Sequence, residues 1–215
     1  MTACPGARVV GIEEPGGYED SAAATTHFIV VDAEGNIVCA TQSQSLHFGA
    51  GVVPLGTGVM MNNSMSNFAY NDRASPNFIA EAKRPRSTIS PTIVTKAGKP
   101  LFAAGIPGAA RIPTAMLQVL LGRLTLNRPL AEAIGDTRFH FAPALKPGET
   151  DIFAAERSLP SDAEAAMTNL GWQVELPEAA GRGRYFGGIN AVEFNADGSY
   201  TGYADPRRTN AAVGY

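Results

Sequence analysis

The sequence predicts an α+β fold in which antiparallel sheets carry helices on their outer faces. Apolar, β-branched segments occur in pairs separated by short turns, a helical repeat of leucines lies in the middle of the chain, and strand-like segments return near the end. Strands joined as hairpins, with helices grouped between them, are typical of antiparallel sheets covered by helices.

The first hairpin is predicted around a turn at residues 33–36. Residues 26–32 before this turn and residues 37–41 after it are rich in β-branched and apolar side chains, which favours two paired strands. Both strands are apolar on both faces, so we expect both faces of the hairpin to be covered.

Glycines concentrate between Gly49 and Gly58, where we expect a loop that packs closely, followed by a short strand at residues 59–63. A phosphate-binding loop is not indicated, because no Gly-Lys-Ser/Thr sequence ends the stretch. A second hairpin is predicted from residues 92–95 and 101–104.

The clearest helix begins after residue 111. Its apolar face is predicted from residues at helical spacing: Ile112, Met116, Leu117, Leu120, Leu121 and Leu124. A short helix is predicted from Pro129, and a third from Ser161, where Glu164 would complete a capping box and Gly171 would end the helix. A final hairpin is predicted from residues 185–194 and 199–203.

The composition indicates one ordinary globular domain. The chain has 215 residues, 45% of them hydrophobic, and a net charge of -3, which gives no sign of a nucleic-acid partner. No stretch reaches the roughly 18 uncharged apolar residues of a membrane span. The first twenty residues carry acidic side chains and no targeting pattern, and residues 1–24 are interpreted as an extended linker.

Metal, cofactor and disulfide chemistry are not indicated. The two cysteines, Cys4 and Cys39, form neither a disulfide framework nor a zinc-ligand set, and Cys39 is expected in a buried strand. The histidines, His27, His47 and His140, lack metal-ligand spacing and are each expected to be hydrogen-bonded structural residues. We therefore expect no metal and no cofactor.

Thr25 is the candidate nucleophile. Small residues at 22–24 lead directly into this threonine, which opens the first apolar strand. Cleavage before Thr25 would free its α-amine, which titrates near pH ~8 and could serve as general base for the hydroxyl of the same residue. The alternative is an ordinary threonine at the start of a strand, and these residues alone favour that alternative.

Residues 105–111 join a predicted strand to the clearest helix and form a candidate oxyanion site. The start of a helix presents unpaired N–H groups and the positive end of the helix dipole. Pro107 has no N–H, so Gly108 and Ala109 are the candidate donors. The alternative is a tight strand-to-helix turn that needs glycine for backbone reasons.

Cations and hydroxyl groups are concentrated in residues 83–92. Arg84 or Arg86 could hold a substrate carboxylate there, with Ser87 and Thr88 orienting its polar groups. The alternative is a solvated basic turn, which is the usual role of a run of charges.

Several short segments occur together in a fixed order: Thr25-Thr26-His27-Phe28, Val30-Val31-Asp32, Phe48-Gly49, Gly51-Val52-Val53, Asn62-Asn63, Lys83-Arg84-Pro85, Ser90-Pro91-Thr92-Ile93-Val94, Pro107-Gly108, Arg138-Phe139-His140 and Ala204-Asp205-Pro206-Arg207. In this order and spacing, the sequence from about residue 25 to residue 215 resembles the small subunit of the γ-glutamyltransferases. The resemblance implies an N-terminal-nucleophile hydrolase with an αββα sandwich of antiparallel sheets, of which this chain is the small-subunit portion.

The resemblance also implies a mechanism. Members of the family cleave themselves immediately before the threonine, which makes Thr25 the nucleophile and the bond after Ala24 the processing site. Gly108 and Ala109 would supply the oxyanion N–H groups. The implied activity is cleavage of a γ-glutamyl amide of the glutathione type through a threonine acyl-enzyme, with transfer to water or an amine.

The expected substrate contacts partly follow the pattern of the family. Thr41 and Ser43 are expected beside the nucleophile, with Ser43 in place of the usual threonine. Ser87 and Thr88 match a serine pair that contacts the substrate carboxylate.

Ser45, Ser64 and Asn67 depart from the pattern that the resemblance implies, in which typical members have asparagine or glutamate, glutamine or glutamate, and aspartate at the three positions. Asparagine for aspartate at residue 67 removes a charge that would face the α-ammonium of a glutamyl group, an interaction of about 1.5 to 3 kcal/mol. Residues 68–83 are also shorter than the lid-bearing version of some members. An acylase acting on a different acyl group, of the cephalosporin-acylase kind, therefore remains an alternative.

A partner polypeptide is expected, because the large subunit of the family is missing. Residues 1–24 resemble the last stretch of that subunit, and residues 25–215 the small-subunit catalytic domain, so Met1 could be an internal methionine of a longer reading frame. The remaining alternative is an inactive fragment or a non-catalytic binding subunit.

Overall fold

The computed structural model describes residues 8–9, 24–144, 148–176 and 185–214 of the chain. The strands in these ranges are β1 (Arg8–Val9), β2 (Thr25–Val31), β3 (Ile37–Ser43), β4 (Val52–Val53), β5 (Thr92–Lys96), β6 (Lys99–Gly105), β7 (Phe139–Ala142), β8 (Ile152–Ala155), β9 (Gln173–Glu175), β10 (Asn190–Phe194) and β11 (Tyr200–Ala204). The helices are α1 (Ile112–Leu120), α2 (Leu130–Gly135) and α3 (Ser161–Asn169).

A four-stranded antiparallel sheet with the order β11-β10-β6-β5 carries helices on one face. Apolar side chains of β6 and β10 pack there against α1 and α2, and the buried core consists of Phe102, Ala104, Ile106, Ile112, Ala115, Met116, Val119, Leu130, Ala133, Ile134, Ile189 and Ala191. Removal of this apolar surface from water favours the helix-on-sheet arrangement. The hairpin predicted at residues 92–104 is confirmed as β5 and β6.

The hairpin of β2 and β3 lies against the other face of that sheet. Its strands pair in register from Thr25 opposite Ser43 to Val31 opposite Ile37, and the turn is closed by the Asp32 carboxylate, which accepts the N–H of Asn36 at 2.8 Å. The Cys39 thiol is half-buried between the two sheets and donates to the backbone carbonyls of Thr92 and Ala104, at 3.6 and 3.7 Å. The first predicted hairpin is therefore confirmed, with Cys39 on a strand.

The outer face of this hairpin is open. Phe28, Val30 and Val38 are 42%, 55% and 53% exposed, and the register places Val30 directly opposite Val38. Only one face of the hairpin is covered within the described ranges, so the expectation that both faces are covered does not hold for this chain alone. The helices α1 and α2, the four-stranded sheet and the β2–β3 hairpin form three of the four layers of an αββα sandwich. The fourth layer, a second layer of helices, would lie on the open face of the hairpin.

A three-stranded sheet with the order β7-β8-β9 was not predicted. Strands β7 and β8 are antiparallel, whereas β8 and β9 are parallel and are connected through α3. Phe139, Phe141, Phe153 and Trp172 pack edge-on or stacked with centroids 4.9 to 5.7 Å apart. Aromatic packing of this kind contributes beyond the area buried.

Helix α1 begins where predicted, but only part of its predicted apolar face is buried. Ile112 and Met116 are buried as expected, together with Ala115 and Val119, whereas Leu117, Leu121 and Leu124 are 54%, 47% and 44% exposed. The helix widens into a π-helical turn at Leu121–Thr125, and this turn breaks the 3.6-residue period for Leu121 and Leu124. Leu117 lies before the turn, on the exposed side of the helix.

Other element boundaries also differ from the predictions. Helix α3 is confirmed, but its N-cap is Pro160 and no side chain caps it, so the predicted capping box is wrong. Residues 59–63 are not a regular strand, although the N–H of Met61 donates to the carbonyl of Val52 at 2.9 Å. The last hairpin starts at Asn190, because residues 185–186 form a helical turn.

The end of α3 follows its prediction closely. Gly171 has φ +90°, its N–H donates to the carbonyl of Thr168, and the N–H of Trp172 donates to the carbonyl of Met167. This pair of bonds is the Schellman arrangement, which favours glycine at the left-handed position. Among the helices in the described ranges, none is both long and apolar enough to cross a membrane.

Candidate active site

Thr25 begins β2 and lies directly opposite Ser43, at the end of β3. The two hydroxyl oxygens are 2.8 Å apart, and either can be the donor. The Ser43 oxygen also accepts the backbone N–H of Ser45 at 2.9 Å. That N–H occupies a lone pair of the Ser43 oxygen and favours the orientation in which the Ser43 hydroxyl donates to Thr25.

The peptide bond before Thr25 is also held in place. The carbonyl oxygen of Ala24 accepts the backbone N–H of Gln44 at 3.0 Å, and the carbonyl of Gln44 accepts the N–H of Asn63 at 2.9 Å. A donor aimed at a carbonyl oxygen stabilises negative charge that develops there during attack on the carbonyl carbon. This contact could not be predicted from the sequence, because a backbone donor leaves no side-chain pattern.

His27 lies two residues after Thr25, between the two sheets, and is 3% exposed. Its Nδ1 is 2.7 Å from the hydroxyl of Thr41, and its Nε2 is 3.7 Å from the Cys39 thiol. Burial lowers the pKa of His27 from 6.5 to about 4. Because desolvation disfavours the imidazolium, His27 is neutral at physiological pH and packs between the two sheets, two residues after the candidate nucleophile.

The ring of His27, on β2, packs against Gly105, the first residue of the segment 105–109. This segment is called the oxyanion turn below. A β-carbon at Gly105, the last residue of β6, would lie 2.2 Å from a ring atom of His27. Asn190, which pairs with Gly105 in the sheet, donates its side-chain N–H to the carbonyl of His27 at 2.8 Å. Only glycine at residue 105 allows this approach of the two sheets.

The oxyanion turn leads into a 3-10 turn at Ala109–Arg111 and then into α1. Within the described parts of the chain, no backbone hydrogen bond involves the N–H of Gly108 or Ala109, so these groups are available to a ligand. The hydroxyl of Thr88 donates to the carbonyl of Ala109 at 2.8 Å. The N–H groups of Gly108 and Ala109 are therefore not used by backbone acceptors in the described ranges, and Thr88 is bonded to the carbonyl of Ala109. That these two N–H groups hold an oxyanion stays a prediction.

A buried ionic network contacts the oxyanion turn through Gly187. Gly187 packs so closely that a β-carbon there would lie 1.8 Å from the carbonyl oxygen of Pro107. The guanidinium of Arg138 donates to the carbonyl of Gly187 at 2.6 Å and pairs with the buried carboxylate of Asp205. Burial lowers the pKa of Arg138 although Asp205 opposes the shift. Glu156 and Arg207 extend the network.

The predicted substrate-binding residues lie on one long loop, residues 62–91, apart from Ser43 and Ser45. Ser64 and Asn67 bound a 3-10 turn, Ser64–Asn67, and Ser87 and Thr88 are exposed further along the loop. Hydrogen bonds join Thr25 with Ser43 and Thr88 with Ala109. The side chains of Ser64, Asn67 and Ser87 make no contact of this kind with Thr25 in the described ranges.

The other histidines are not part of this site. His140 is buried, and its Nδ1 is 2.9 Å from the hydroxyl of Thr114, whereas His47 is exposed in the glycine-rich loop. A search of the residues that the structure describes finds no cluster of acidic, histidine or cysteine side chains able to hold a metal ion.

Comparison with known proteins identifies the family. The family model described as Gamma-glutamyltranspeptidase matches residues 8–215. This chain belongs to the gamma-glutamyltranspeptidase family. Glutathione hydrolase proenzyme of Escherichia coli (strain K12) is 32% identical over 194 residues, which are 85% of this chain and 31% of that protein. Acylase ACY 1 proenzyme of Pseudomonas sp. (strain V22) is 36% identical over 184 residues, 85% of this chain and 30% of that protein.

The fold of this family member agrees with solved structures. Gamma-glutamyltranspeptidase from Pseudomonas nitroreducens complexed with L-DON aligns with a TM-score of 0.73 and 29% identity, over 88% of this chain and 99% of that one. The predicted α+β class and the N-terminal-nucleophile hydrolase fold are confirmed. The chain spans about a third of the length of the curated relatives named above.

Proposed function

We propose that this chain is the nucleophile-bearing part of an autoprocessed enzyme that cleaves γ-glutamyl amides. The observation that carries the proposal is the position of Thr25 at the head of β2, with its hydroxyl 2.8 Å from Ser43 and the preceding carbonyl bonded to the N–H of Gln44. The family and the proenzyme names of the relatives support the same activity.

Autoprocessing begins with attack of the Thr25 hydroxyl oxygen on the carbonyl carbon of Ala24. The N–H of Gln44 stabilises the oxyanion, the C–N bond of the peptide breaks, and the α-amine of Thr25 takes up the proton that its hydroxyl loses. Water then hydrolyses the resulting ester. The products are a carboxylate on Ala24 and a free α-amine on Thr25.

Turnover uses the same oxygen on a second carbonyl. The α-amine, with an ordinary pKa near ~8, accepts the proton of the Thr25 hydroxyl as the oxygen attacks the substrate amide. The N–H groups of Gly108 and Ala109 hold the oxyanion, and the departing amine leaves with the proton. The acyl group remains on Thr25 as an ester until water or an acceptor amine releases it.

The acyl pocket is formed in this proposal by hydroxyl and amide groups around Thr25. Ser43 orients the nucleophile, Ser87 and Thr88 bind the substrate carboxylate, and a further set contacts the rest of the acyl group: Ser45, Ser64 and Asn67. Each of these six side chains is neutral, so they supply hydrogen bonds rather than charge. No cofactor takes part.

A large subunit completes the enzyme in this proposal, with residues 25–215 as the catalytic domain and residues 1–24 as the linker from that subunit. The relatives extend well beyond the region that this chain matches. The open apolar face of β2 and β3, with Val30 55% exposed, supports a partner that covers it. The substrate is a small-molecule amide.

A second candidate activity is acylase activity on a different acyl group. The relative named as an acylase is 36% identical to this chain, and the neutral Asn67 offers an α-ammonium no ionic partner. Hydrolysis of a γ-glutamyl anilide and of a glutaryl anilide, which lacks the ammonium, separates the two activities. A preference for the γ-glutamyl compound supports the proposed function, and a preference for the glutaryl compound supports the acylase.

Substitution of Thr25 tests the mechanism. We expect Thr25→Ala to give one unprocessed polypeptide by intact mass and no turnover of the anilide, because the attacking oxygen is gone. Thr25→Ser keeps that oxygen, so it is expected to be cleaved after Ala24 and to keep measurable turnover. Cleavage after Ala24 in the Thr25→Ala protein would show that Thr25 is not the processing nucleophile.

A further inference from the structure

Asn77 lies in the middle of the loop of residues 62–91, and its side chain bonds to one residue before it and one residue after it in the loop. Its side-chain N–H donates to the carbonyl of Asn67 at 2.6 Å. Its side-chain oxygen accepts the backbone N–H of Arg86 at 3.0 Å. One amide group therefore joins the 3-10 turn that ends at Asn67 to the segment that leads into Ser87 and Thr88.

The backbone around Asn77 is itself fixed, so the side chain cannot shift freely. The N–H of Ala69 donates to the carbonyl of Asn77 at 3.0 Å, and the N–H of Ile79 donates to the carbonyl of Ala69 at 3.1 Å. The N–H of Asn77 donates to the hydroxyl of Ser75 at 3.2 Å. Asn77 is half-buried; its bond to Asn67 is also part-buried, whereas its bond to Arg86 lies at the surface.

Both segments that Asn77 joins are bonded to the candidate active site. The N–H of Asn63, just before the 3-10 turn, donates to the carbonyl of Gln44, next to Ser43. On the other side, the hydroxyl of Thr88 donates to the carbonyl of Ala109 in the oxyanion turn. The Asn77 amide thus links two segments of the loop. One segment is bonded to Gln44, next to Ser43, and the other is bonded to Ala109 in the oxyanion turn.

The chemistry of these contacts requires an amide. The carbonyl of Asn67 needs a donor and the N–H of Arg86 needs an acceptor, and asparagine offers both in one short planar group. Leucine has a similar size but offers neither, so the carbonyl of Asn67 and the N–H of Arg86 would both lose their shared partner and the two segments would no longer be joined.

We propose that Asn77 is a positioning residue that fixes the spacing of the acyl-donor pocket, between the turn bearing Ser64 and Asn67 and the segment bearing Ser87 and Thr88. The proposal rests on the proposed function, because it assigns these segments to substrate binding. Asn77 does not touch the reacting atoms. Its loss weakens donor binding and leaves the nucleophile and the oxyanion donors as they are.

The test compares Asn77→Leu with the wild-type enzyme, assembled with its large subunit, on a γ-glutamyl anilide. We expect KM to rise about tenfold and kcat to change less than about twofold. Displacement of a substrate-binding segment weakens binding of the substrate and of the transition state equally. Labelling of Thr25 by a small sulfonyl fluoride without a carboxylate is expected at the wild-type rate. Asn71→Leu, an exposed asparagine of the same loop, is the matched control and should keep the wild-type KM.

Different outcomes separate this inference from the function on which it rests. An inactive wild-type enzyme refutes the proposed function, whereas an active wild type with an unchanged KM in Asn77→Leu refutes the role of Asn77. Parallel losses of kcat, Thr25 labelling and thermal midpoint would show a merely structural residue and also refute it. If Asn77→Leu is not processed, Asn77→Ala, which needs no extra space, is measured in the same way.

Discussion

At the scale of single residues, some residues of the candidate site could be predicted from the sequence and others could not. The order of short motifs made Thr25, Ser43 and Gly108 candidates from the sequence, because these positions carry a hydroxyl side chain or a glycine. Their roles stay predictions. Gln44 contributes only a backbone N–H, and Asn77 acts through bonds to distant backbone groups. No sequence pattern records contacts of these two kinds.

His27 makes the stability of the protein depend on pH. Its pKa is about 4 in the folded protein and 6.5 when unperturbed, so the unfolded chain binds more protons between these values. Above pH 6.5, His27 is neutral in both the folded and the unfolded protein, and the free energy of unfolding is not reduced by it. As the pH falls toward 4, the unfolded chain takes up a proton that the folded protein does not, so the free energy of unfolding decreases. The difference in pKa corresponds to roughly 3 kcal/mol.

We expect the thermal midpoint of the Thr25→Ala precursor to fall between pH 7 and pH 4.5, and to fall less when His27→Asn is added. The thiol of Cys39, which lies 3.7 Å from Nε2 of His27, stays protonated in this range because burial raises its pKa. Scanning calorimetry at several pH values measures the difference. Equal pH slopes for the two proteins would mean that His27 is not the group responsible.

At the scale of elements, hairpins were predicted well and short strands were not. Strands β2, β3, β5 and β6 have long apolar segments and turn residues that define them. Strands β7, β8 and β9 have four residues or fewer each, too few to show an alternation. Their pairing depends on aromatic packing between residues that are far apart in sequence, such as Phe141 and Trp172.

The buried pair of Arg138 and Asp205 holds several of these elements together. Arg138 is 2% exposed and Asp205 1%, and the same carboxylate accepts the N–H of Ile189 at 3.1 Å. Neutralising the carboxylate leaves a buried guanidinium without its counterion. A broken buried pair of this kind costs about 3–5 kcal/mol.

We therefore expect Asp205→Asn to lower the free energy of unfolding by about that amount in urea denaturation of the Thr25→Ala precursor. Asp136→Asn is the control, because Asp136 pairs with Arg128 at the surface, and we expect it to change stability little. Similar losses in the two proteins would contradict the account of the buried network.

At the scale of the whole molecule, the open face of the hairpin is the main departure from a self-contained fold. The sequence predicted strands that are apolar on both faces, and the structure covers one face with the four-stranded sheet. Phe28, Val30 and Val38 remain on the other face. A cross-strand apolar patch of this kind is typical of a surface that a partner covers.

We expect Val30→Lys to reduce co-purification of this chain with its large subunit severalfold, because a charge would be buried in an apolar contact. Leu170→Lys, at the exposed end of α3 with 71% exposure, should leave assembly unchanged. Size-exclusion chromatography of the co-expressed subunits measures both. Normal assembly of the Val30→Lys protein would place the partner on another surface.

The proposed mechanism requires Thr25 to become an N-terminal residue whose hydroxyl carries the acyl group. Mass spectrometry of the enzyme, quenched with acid during turnover of a γ-glutamyl anilide, tests this requirement. We expect a small subunit that starts at Thr25 and carries one added γ-glutamyl group on its N-terminal peptide, absent in Thr25→Ala. An acyl group on any other residue, or turnover by a chain still joined to Ala24, would contradict the mechanism.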